Sequence, residues 1–175
     1  MVGAAPRPLA RDDDRASFDC GRESINSWLR RHGWISHESG ASRVNVIVDA
    51  ASGRIAGYVT LSATQIERGF LPKAQQRNRP DPLPATLLGQ LAVDKAYQGK
   101  GCGADLLLFA LTTSLRAAEI VGSVGVITHP LDENARSFYA RHGFADLPFD
   151  PRRAMIVRMA ELRLVLRSGD RPDLL

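Results

Sequence analysis

The chain has 175 residues, a hydrophobic fraction of 44% and a formal net charge of +4. This length suits one compact domain and is too short for two ordinary ones, so we expect a single domain over residues 1–175. No apolar run approaches the ~20 residues that span a bilayer, and the first 14 residues lack the apolar segment of a secretory signal.

Cysteine and histidine usage indicates a cytoplasmic protein without a metal. The two cysteines, Cys20 and Cys102, lie far apart in unlike contexts, which argues against a disulfide framework and suits a reducing compartment. The four histidines form no tight ligand cluster, so we predict no metal site. The positive charge raises the chance of a polyanionic partner, but net charge alone favours ordinary surface charge as the explanation.

A helix and a hairpin are predicted first along the chain. Alternating apolar residues predict strands over residues 44–49 and 55–61, joined by a turn at Gly53. Before them, helical spacing of apolar residues predicts an amphipathic helix over residues 23–37, packed on the core through Ile25, Trp28, Leu29 and Ile35.

Residues 67–86 differ in composition from their surroundings. Prolines and basic residues alternate there, which predicts a long basic loop of the kind that is usually functional or disordered. An apolar strand over residues 87–93 follows, then a glycine-rich turn over residues 94–103. The next helix carries an apolar stripe from Leu106 to Ala118.

The remaining elements complete a mixed α/β architecture. Gly143 is predicted to end a short helix in the left-handed conformation, with Phe144 as its apolar partner. The interleaving of strands and helices predicts a mixed sheet flanked by helices, with a core over residues 8–160 and a polar tail over residues 163–175. The predicted elements here are a strand at 123–128, a helix at 132–142, and strand-like stretches at 144–149 and 154–160.

The turn from Gln98 to Gly103 is the most informative local pattern. Glycines let the backbone turn tightly, and the N–H groups at the start of the following helix point outward at its positive end, which makes a site for a phosphate. Residues 99–104 also satisfy a dinucleotide fingerprint, but the next strand ends at Thr128 and His129 instead of an acidic residue. A strand–helix turn without a ligand is the remaining alternative.

Gln98-x-x-Gly101-x-Gly103, after the strand Leu91–Asp94, resembles the signature of GNAT acetyltransferases. The resemblance implies the GNAT fold, a mixed and mostly antiparallel sheet that is splayed at its centre, and acetyl-CoA as cofactor. In that family the turn holds the CoA pyrophosphate and the strand pairs with pantetheine. The implied cofactor-binding residues are Leu91, Ala92, Val93, Gln98, Gly99, Lys100, Gly101, Cys102, Gly103, Ala104, Asn134 and Phe138.

A second element, from Asn134 to Phe144, resembles the other cofactor element of the family. By this resemblance Tyr139 is the general acid that protonates the CoA thiolate. Without the resemblance, Tyr139 would be a helix tyrosine packed on the sheet, and Asn134 would cap the helix. Cys102 lies at a helix start, but the sequence shows no paired base for a nucleophile.

Most of the chain is similar to the GNAT toxins of toxin–antitoxin pairs, through the segments Phe18–Gly21, Gly40–Arg43, Pro82–Pro84, Leu88–Asp94 and Gly103–Leu107. This resemblance implies acetylation of the α-amine of aminoacyl-tRNA, a block of translation, a ribbon-helix-helix antitoxin and a homodimer. Gln90 stands where these toxins usually carry an arginine.

The acceptor is the least determined part of the prediction. An α-amine titrates near pH 8, so an acceptor on tRNA needs no obvious base, and no carboxylate stands out as one. A GNAT enzyme for a small amine or a protein N-terminus, or a non-catalytic CoA-binding module, are the alternatives. Five basic residues are candidates for the RNA backbone, although any single one is also explained by solvation: Arg43, Arg68, Lys73, Arg77 and Arg79.

Overall fold

The computed structural model describes residues 4–167. They form two compact units: the first holds the chain up to Ser62 together with Leu88–Ala110, and the second holds Ala63–Leu87 together with the chain from Leu111 onward. The prediction of one domain stays a prediction. The strands are β1 Arg7–Pro8, β2 Arg43–Val48, β3 Ile55–Ile66, β4 Leu83–Val93, β5 Gly125–Thr128, β6 Ala145–Asp146 and β7 Met155–Arg158.

The strands follow the order β1-β2-β3-β4-β5-β7-β6. Antiparallel ladders join β1 to β2, β2 to β3, β5 to β7 and β6 to β7, whereas β4 pairs with β5 in parallel at Thr86 and Leu87. The predicted hairpin and the predicted mixed, mostly antiparallel sheet are therefore confirmed. The helices are α1 Glu23–Trp28, α2 Trp34–Ser39, α3 Lys73–Gln76, α4 Cys102–Ala118, α5 Glu133–Arg141 and α6 Met159–Arg167.

Each unit has its own apolar cluster. In the first unit, Phe18, Leu29 and Tyr58 are fully buried among side chains of β2 and β3. In the second unit, Leu71 and Leu83 pack with residues of β5 and β7. No helix among residues 4–167 is long and apolar enough to span a membrane.

The predicted amphipathic helix at residues 23–37 is present but has a different apolar face. A π-helical turn, Leu29–Gly33, separates α1 from α2. A π turn carries more residues than an α turn, so it rotates the side chains that follow. As a result Trp34 packs against the first cluster, whereas Ile35 is 64% exposed, and the prediction of Ile35 as a packed residue was wrong.

The stretch predicted as a basic loop at residues 67–86 is more ordered than expected. It contains a 3₁₀ turn, Arg68–Phe70, and the short helix α3, and β4 already begins at Leu83. Leu71 and Leu83 are both buried. The basic composition concealed these two apolar anchors, which hold the stretch against the second unit's core.

The C-terminal part of α5 ends as predicted. Gly143 has φ +88, its N–H donates to the Ala140 carbonyl (3.2 Å), and the Phe144 N–H donates to the Tyr139 carbonyl (3.1 Å). These are the two hydrogen bonds of the glycine-terminated helix end. Residues 163–167 of the predicted polar tail belong to α6; residues 168–175 lie outside the described part of the chain.

Gly57 provides a test of the first unit's packing. A Cβ at Gly57 would lie 2.8 Å from Cδ1 of Leu106 and 2.9 Å from the Ala92 carbonyl oxygen, which is backbone and cannot turn away. We expect Gly57→Ala to lower the free energy of unfolding by about 1–3 kcal/mol because the site is overpacked. Gly122→Ala, where the Cβ meets only open space among the described residues, is the control and should change it by less than ~0.5 kcal/mol. If urea denaturation gave the two variants equal free energies of unfolding, this description of the packing would be wrong.

Candidate functional site

The turn between β4 and α4 lies in the first unit and has an open, glycine-rich backbone. Gly99 and Gly101 have φ +74 and +85, in the left-handed region that disfavours other residues. Across residues 4–167 nothing beyond their chain neighbours lies within 4 Å of a Cβ built on either glycine, so this side of the turn is open. The 17-residue helix α4 begins at Cys102, directly after it.

The start of α4 supplies main-chain N–H groups at a positive helix end, which can hold an anion. Gly103 and Ala104 lie in this first turn and are half-buried. The Cys102 thiol is buried, and burial raises its pKa, so it presents no thiolate to a ligand. Any contact of Cys102 with a cofactor must therefore use its main chain.

Two polar side chains of the turn point back to the protein. The Gln98 side-chain amide donates to the carbonyls of Val93 (3.0 Å) and Cys20 (3.2 Å). The Lys100 ammonium donates to the Ala96 carbonyl (2.9 Å) and lies 5.6 Å from the centre of the Tyr97 ring. In this structure both side chains fix the turn, and the open glycine backbone faces outward.

The buried carboxylate of Asp94 stabilises the segment that leads into the turn. Asp94 is 2% exposed, and its oxygens accept hydrogen bonds from the backbone N–H groups of Asp19 (2.9 Å) and Ala96 (2.9 Å) and from the Arg54 guanidinium (3.3 Å). Tyr97 adds a further tie, because its hydroxyl donates to Asp49 (2.9 Å). These three donors give Asp94 a structural role.

The three predicted strand residues occupy the end of β4. Ala92 is buried, whereas Leu91 and Val93 are half-buried. These residues lie beyond the ladder between β4 and β5, which comprises Thr86 and Leu87. Their role in binding a cofactor stays a prediction.

Tyr139 lies in the second unit, on α5, and is 6% exposed. Its ring packs edge-on against the rings of Phe138 and Phe144, with 5.3 Å and 5.2 Å between the ring centres. Burial raises the pKa of the phenol to about 12, although a hydrogen bond with the buried Thr128 side chain acts in the opposite direction. The hydroxyl therefore keeps its proton at neutral pH, which a proton donor requires.

The other two residues predicted on α5 are Asn134 and Phe138. The alternative role of Asn134 as the helix cap was wrong: Asp132 is the cap, and its carboxylate accepts from the Ala135 N–H (2.8 Å). Asn134 is exposed in the first turn, so its side chain is accessible. The Phe138 ring lies 4.4 Å from the His142 ring and is half-buried.

The predicted RNA-contacting residues fall on both units. Arg43 begins β2 in the first unit, and its guanidinium donates to the His37 carbonyl (3.1 Å). In the second unit, the Arg68 guanidinium donates to the Arg79 carbonyl (2.7 Å), so Arg68 holds its own segment together. Lys73 and Arg77 are exposed. Lys73 lies over the ring of Phe149, a residue that sequence reasoning missed because a single aromatic between two prolines gives no periodic signal.

Comparison with known proteins places this arrangement in a family. Residues 41–146 match the acetyltransferase (GNAT) domain. A tRNA-acetylating toxin from Mycobacterium tuberculosis is 35% identical over 154 residues, which cover 88% of this chain and 92% of the toxin. The chain therefore belongs to the GNAT acetyltransferase family, and it is an acyltransferase enzyme, as predicted.

Two solved structures are also similar to this chain. The structure of AtaT complexed with acetyl-methionyl-tRNAfMet has a TM-score of 0.86 and 30% identity, and the match covers 93% of this chain and 98% of AtaT. A tyrosine-to-phenylalanine variant of the AtaT toxin, bound to the C-terminus of the antitoxin AtaR and acetyl-CoA, has a TM-score of 0.78 and 27% identity, with coverage of 93% and 97%.

Proposed function

We propose that this protein is a toxin-type N-acetyltransferase that transfers the acetyl group of acetyl-CoA to the α-amine of aminoacyl-tRNA and so blocks translation. The main support for this proposal is the 35% identity to a tRNA-acetylating toxin over 88% of the chain. The likeness to AtaT, whose structure contains acetyl-methionyl-tRNA, supports the same acceptor. The match of the GNAT domain to residues of both units supports one catalytic domain.

The cofactor requirements fit the residues that are present. Acetyl-CoA supplies the acetyl group as a reactive thioester when it is bound. The open glycines of the turn and the first N–H groups of α4 are suited to its pyrophosphate. The main chain from Leu91 to Val93 is the proposed partner of the pantetheine amides and the proposed source of an N–H group for a developing negative charge on oxygen.

Tyr139 is the proposed general acid. Its burial keeps a proton on the phenol oxygen, and its hydroxyl is hydrogen-bonded to the buried Thr128 side chain. Because the phenol pKa is about 12, this proton is not lost over the pH range in which an α-amine becomes neutral. The rate is therefore expected to rise with pH through the amine pKa near 8 without a fall caused by Tyr139.

The partners follow from the same resemblance. We propose that an antitoxin binds this protein, since the AtaT variant is bound to the C-terminus of AtaR. We further propose a ribbon-helix-helix fold for that antitoxin, a homodimer for this chain, and action in the cytoplasm, where aminoacyl-tRNA is used.

The acceptor is tested with labelled acetyl-CoA, charged tRNA and a panel of small amines. We expect label on charged tRNA, and none on uncharged tRNA, because only the esterified amino acid offers an α-amine. Label on small amines or a protein N-terminus but not on charged tRNA would show that the acceptor is wrong and leave the acetyltransferase class intact.

The glycine turn is tested by Gly101→Ala with Gly53→Ala as its matched control. Both glycines have positive φ, +85 and +72, and within residues 4–167 neither Cβ would meet a neighbour, so each change should cost about 1–2 kcal/mol of backbone strain. Only Gly101→Ala should weaken acetyl-CoA binding, by tenfold or more, in calorimetry at a temperature where both variants are folded. If both variants bind acetyl-CoA as the wild type does, the phosphate site is elsewhere.

Tyr139→Phe is expected to lower kcat by about 100-fold or more and to leave the Kd for acetyl-CoA unchanged, because it removes only a proton donor. Tyr58→Phe is the control, since it removes an equally buried hydroxyl that is hydrogen-bonded to the Gln90 side-chain oxygen and to the Ile25 carbonyl (3.1 Å). Tyr58→Phe should lower stability without this selective loss of kcat. A parallel loss of acetyl-CoA affinity in Tyr139→Phe would show that Tyr139 is a structural residue.

A further inference from the structure

Two segments of the second unit, residues 67–81 and residues 147–154, meet at an exposed aromatic ring. The Phe149 backbone N–H donates to the Phe70 carbonyl (3.4 Å), and the Lys73 ammonium lies 5.7 Å from the centre of the Phe149 ring. Phe149 is nevertheless 50% exposed. We call four of the exposed residues of these two segments, Lys73, Arg77, Phe149 and Arg152, the Phe149 surface.

The ring is held on a fixed turn. On either side of it Leu147 and Asp150 are buried. The Asp150 carboxylate accepts from the N–H groups of Arg152 (3.0 Å) and Ala154 (2.9 Å), and the Leu147 N–H donates to the Ala154 carbonyl (2.9 Å). A ring presented in this way loses little conformational freedom on binding, so its contact area contributes to affinity.

Three exposed cations lie in the two segments: Lys73 is in contact with the ring, Arg77 follows Lys73 by four residues, and Arg152 follows Phe149 by three. Lys73, Arg77 and Arg152 are exposed cations, whereas the neighbouring Asp150 is buried and satisfied by main-chain donors. The exposed acid Asp81 accepts from the Arg68 N–H (3.0 Å), and Glu67 lies at the start of the first segment. Isolated exposed apolar residues are common on proteins, but an aromatic ring among cations matches one ligand in particular. Unpaired nucleotides stack their bases on such rings and place their phosphates on nearby cations.

We propose that the Phe149 surface binds unpaired nucleotides at the 3′ end of the tRNA acceptor, with one base stacked on Phe149 and the adjoining phosphates on Lys73, Arg77 and Arg152. This inference rests on the proposed function, because it concerns the same RNA substrate. It adds a base-stacking residue to a site that the sequence defined by charge alone.

The test compares two labelled probes, an intact tRNA and the same tRNA trimmed of its unpaired 3′ nucleotides. We expect Phe149→Ala to weaken binding of the intact tRNA by about 5- to 150-fold, the range for loss of one stacked base, and to leave the trimmed tRNA unchanged. Phe149→Trp should restore binding, whereas Phe149→Leu, which keeps apolar bulk, should not. Ile120→Ala, at another exposed apolar residue in the second unit, is the matched control and should affect neither probe.

A charge variant separates stacking from phosphate contact. Arg77→Gln should weaken binding of the intact tRNA and flatten its salt dependence, and Arg77→Gln combined with Phe149→Ala should lose both contributions. The proposal is overturned if Phe149→Ala leaves the intact tRNA unaffected or weakens both probes equally. It is also overturned if Phe149→Ala weakens only binding of an antitoxin peptide.

Failure of the proposed function gives a different result. In that case the wild type neither binds nor acetylates tRNA while it still binds acetyl-CoA, and the Phe149 surface has no RNA ligand. If instead the wild type acetylates charged tRNA and the Phe149→Ala variant does so with an unchanged KM, the function stands and the stacking residue is refuted.

Discussion

The buried carboxylate of Asp94 is the interaction on which the proposed cofactor site depends. A carboxylate removed from water is stable only when several donors surround it, and here two backbone N–H groups and the Arg54 guanidinium do so. These donors are the Asp19 N–H before α1, the Arg54 guanidinium just before β3, and the Ala96 N–H two residues after Asp94. The carboxylate thus joins three segments at the point where β4 turns toward α4. Because the glycines that follow have no side chains to fix them, their placement relies on this junction.

The same unit shows how the turn combines rigidity with an open face. Gln98 and Lys100 are the two residues of the turn whose polar side chains suggest ligand contacts, yet both bind carbonyls of the protein. Gly99 and Gly101 leave the backbone accessible. A phosphate at this turn would therefore meet main-chain N–H groups, whose direction is set by the fold, instead of flexible side chains whose ordering costs conformational entropy. The Lys100 ammonium has two further N–H groups besides the one that it donates to the Ala96 carbonyl.

Sequence reasoning succeeded where the pattern was local. The end of α5 was predicted from Gly143 and Phe144 because a left-handed glycine and its apolar partner are adjacent in sequence, and the strand–turn–helix around Gln98 was visible for the same reason. The failures depend on distant contacts. The π turn at Leu29–Gly33 accompanies the packing of Trp34 against the first unit's cluster. The residue spacing of an ideal α-helix does not predict such a turn. The exposure of Ile35 follows directly from that turn.

The basic stretch at residues 67–86 shows why charge content alone is a poor guide to an RNA site. Arg68 contributes to the net charge, but its guanidinium is committed to the Arg79 carbonyl, so its first effect is to hold the stretch in shape. Lys73 lies against an aromatic ring that comes from far along the chain, which no inspection of the stretch itself could show. Coulombic attraction draws an RNA toward a positive face but does not select unpaired nucleotides over duplex. That selection needs a surface on which a base can stack, so the position of Phe149 carries more information about the acceptor than the number of arginines around it.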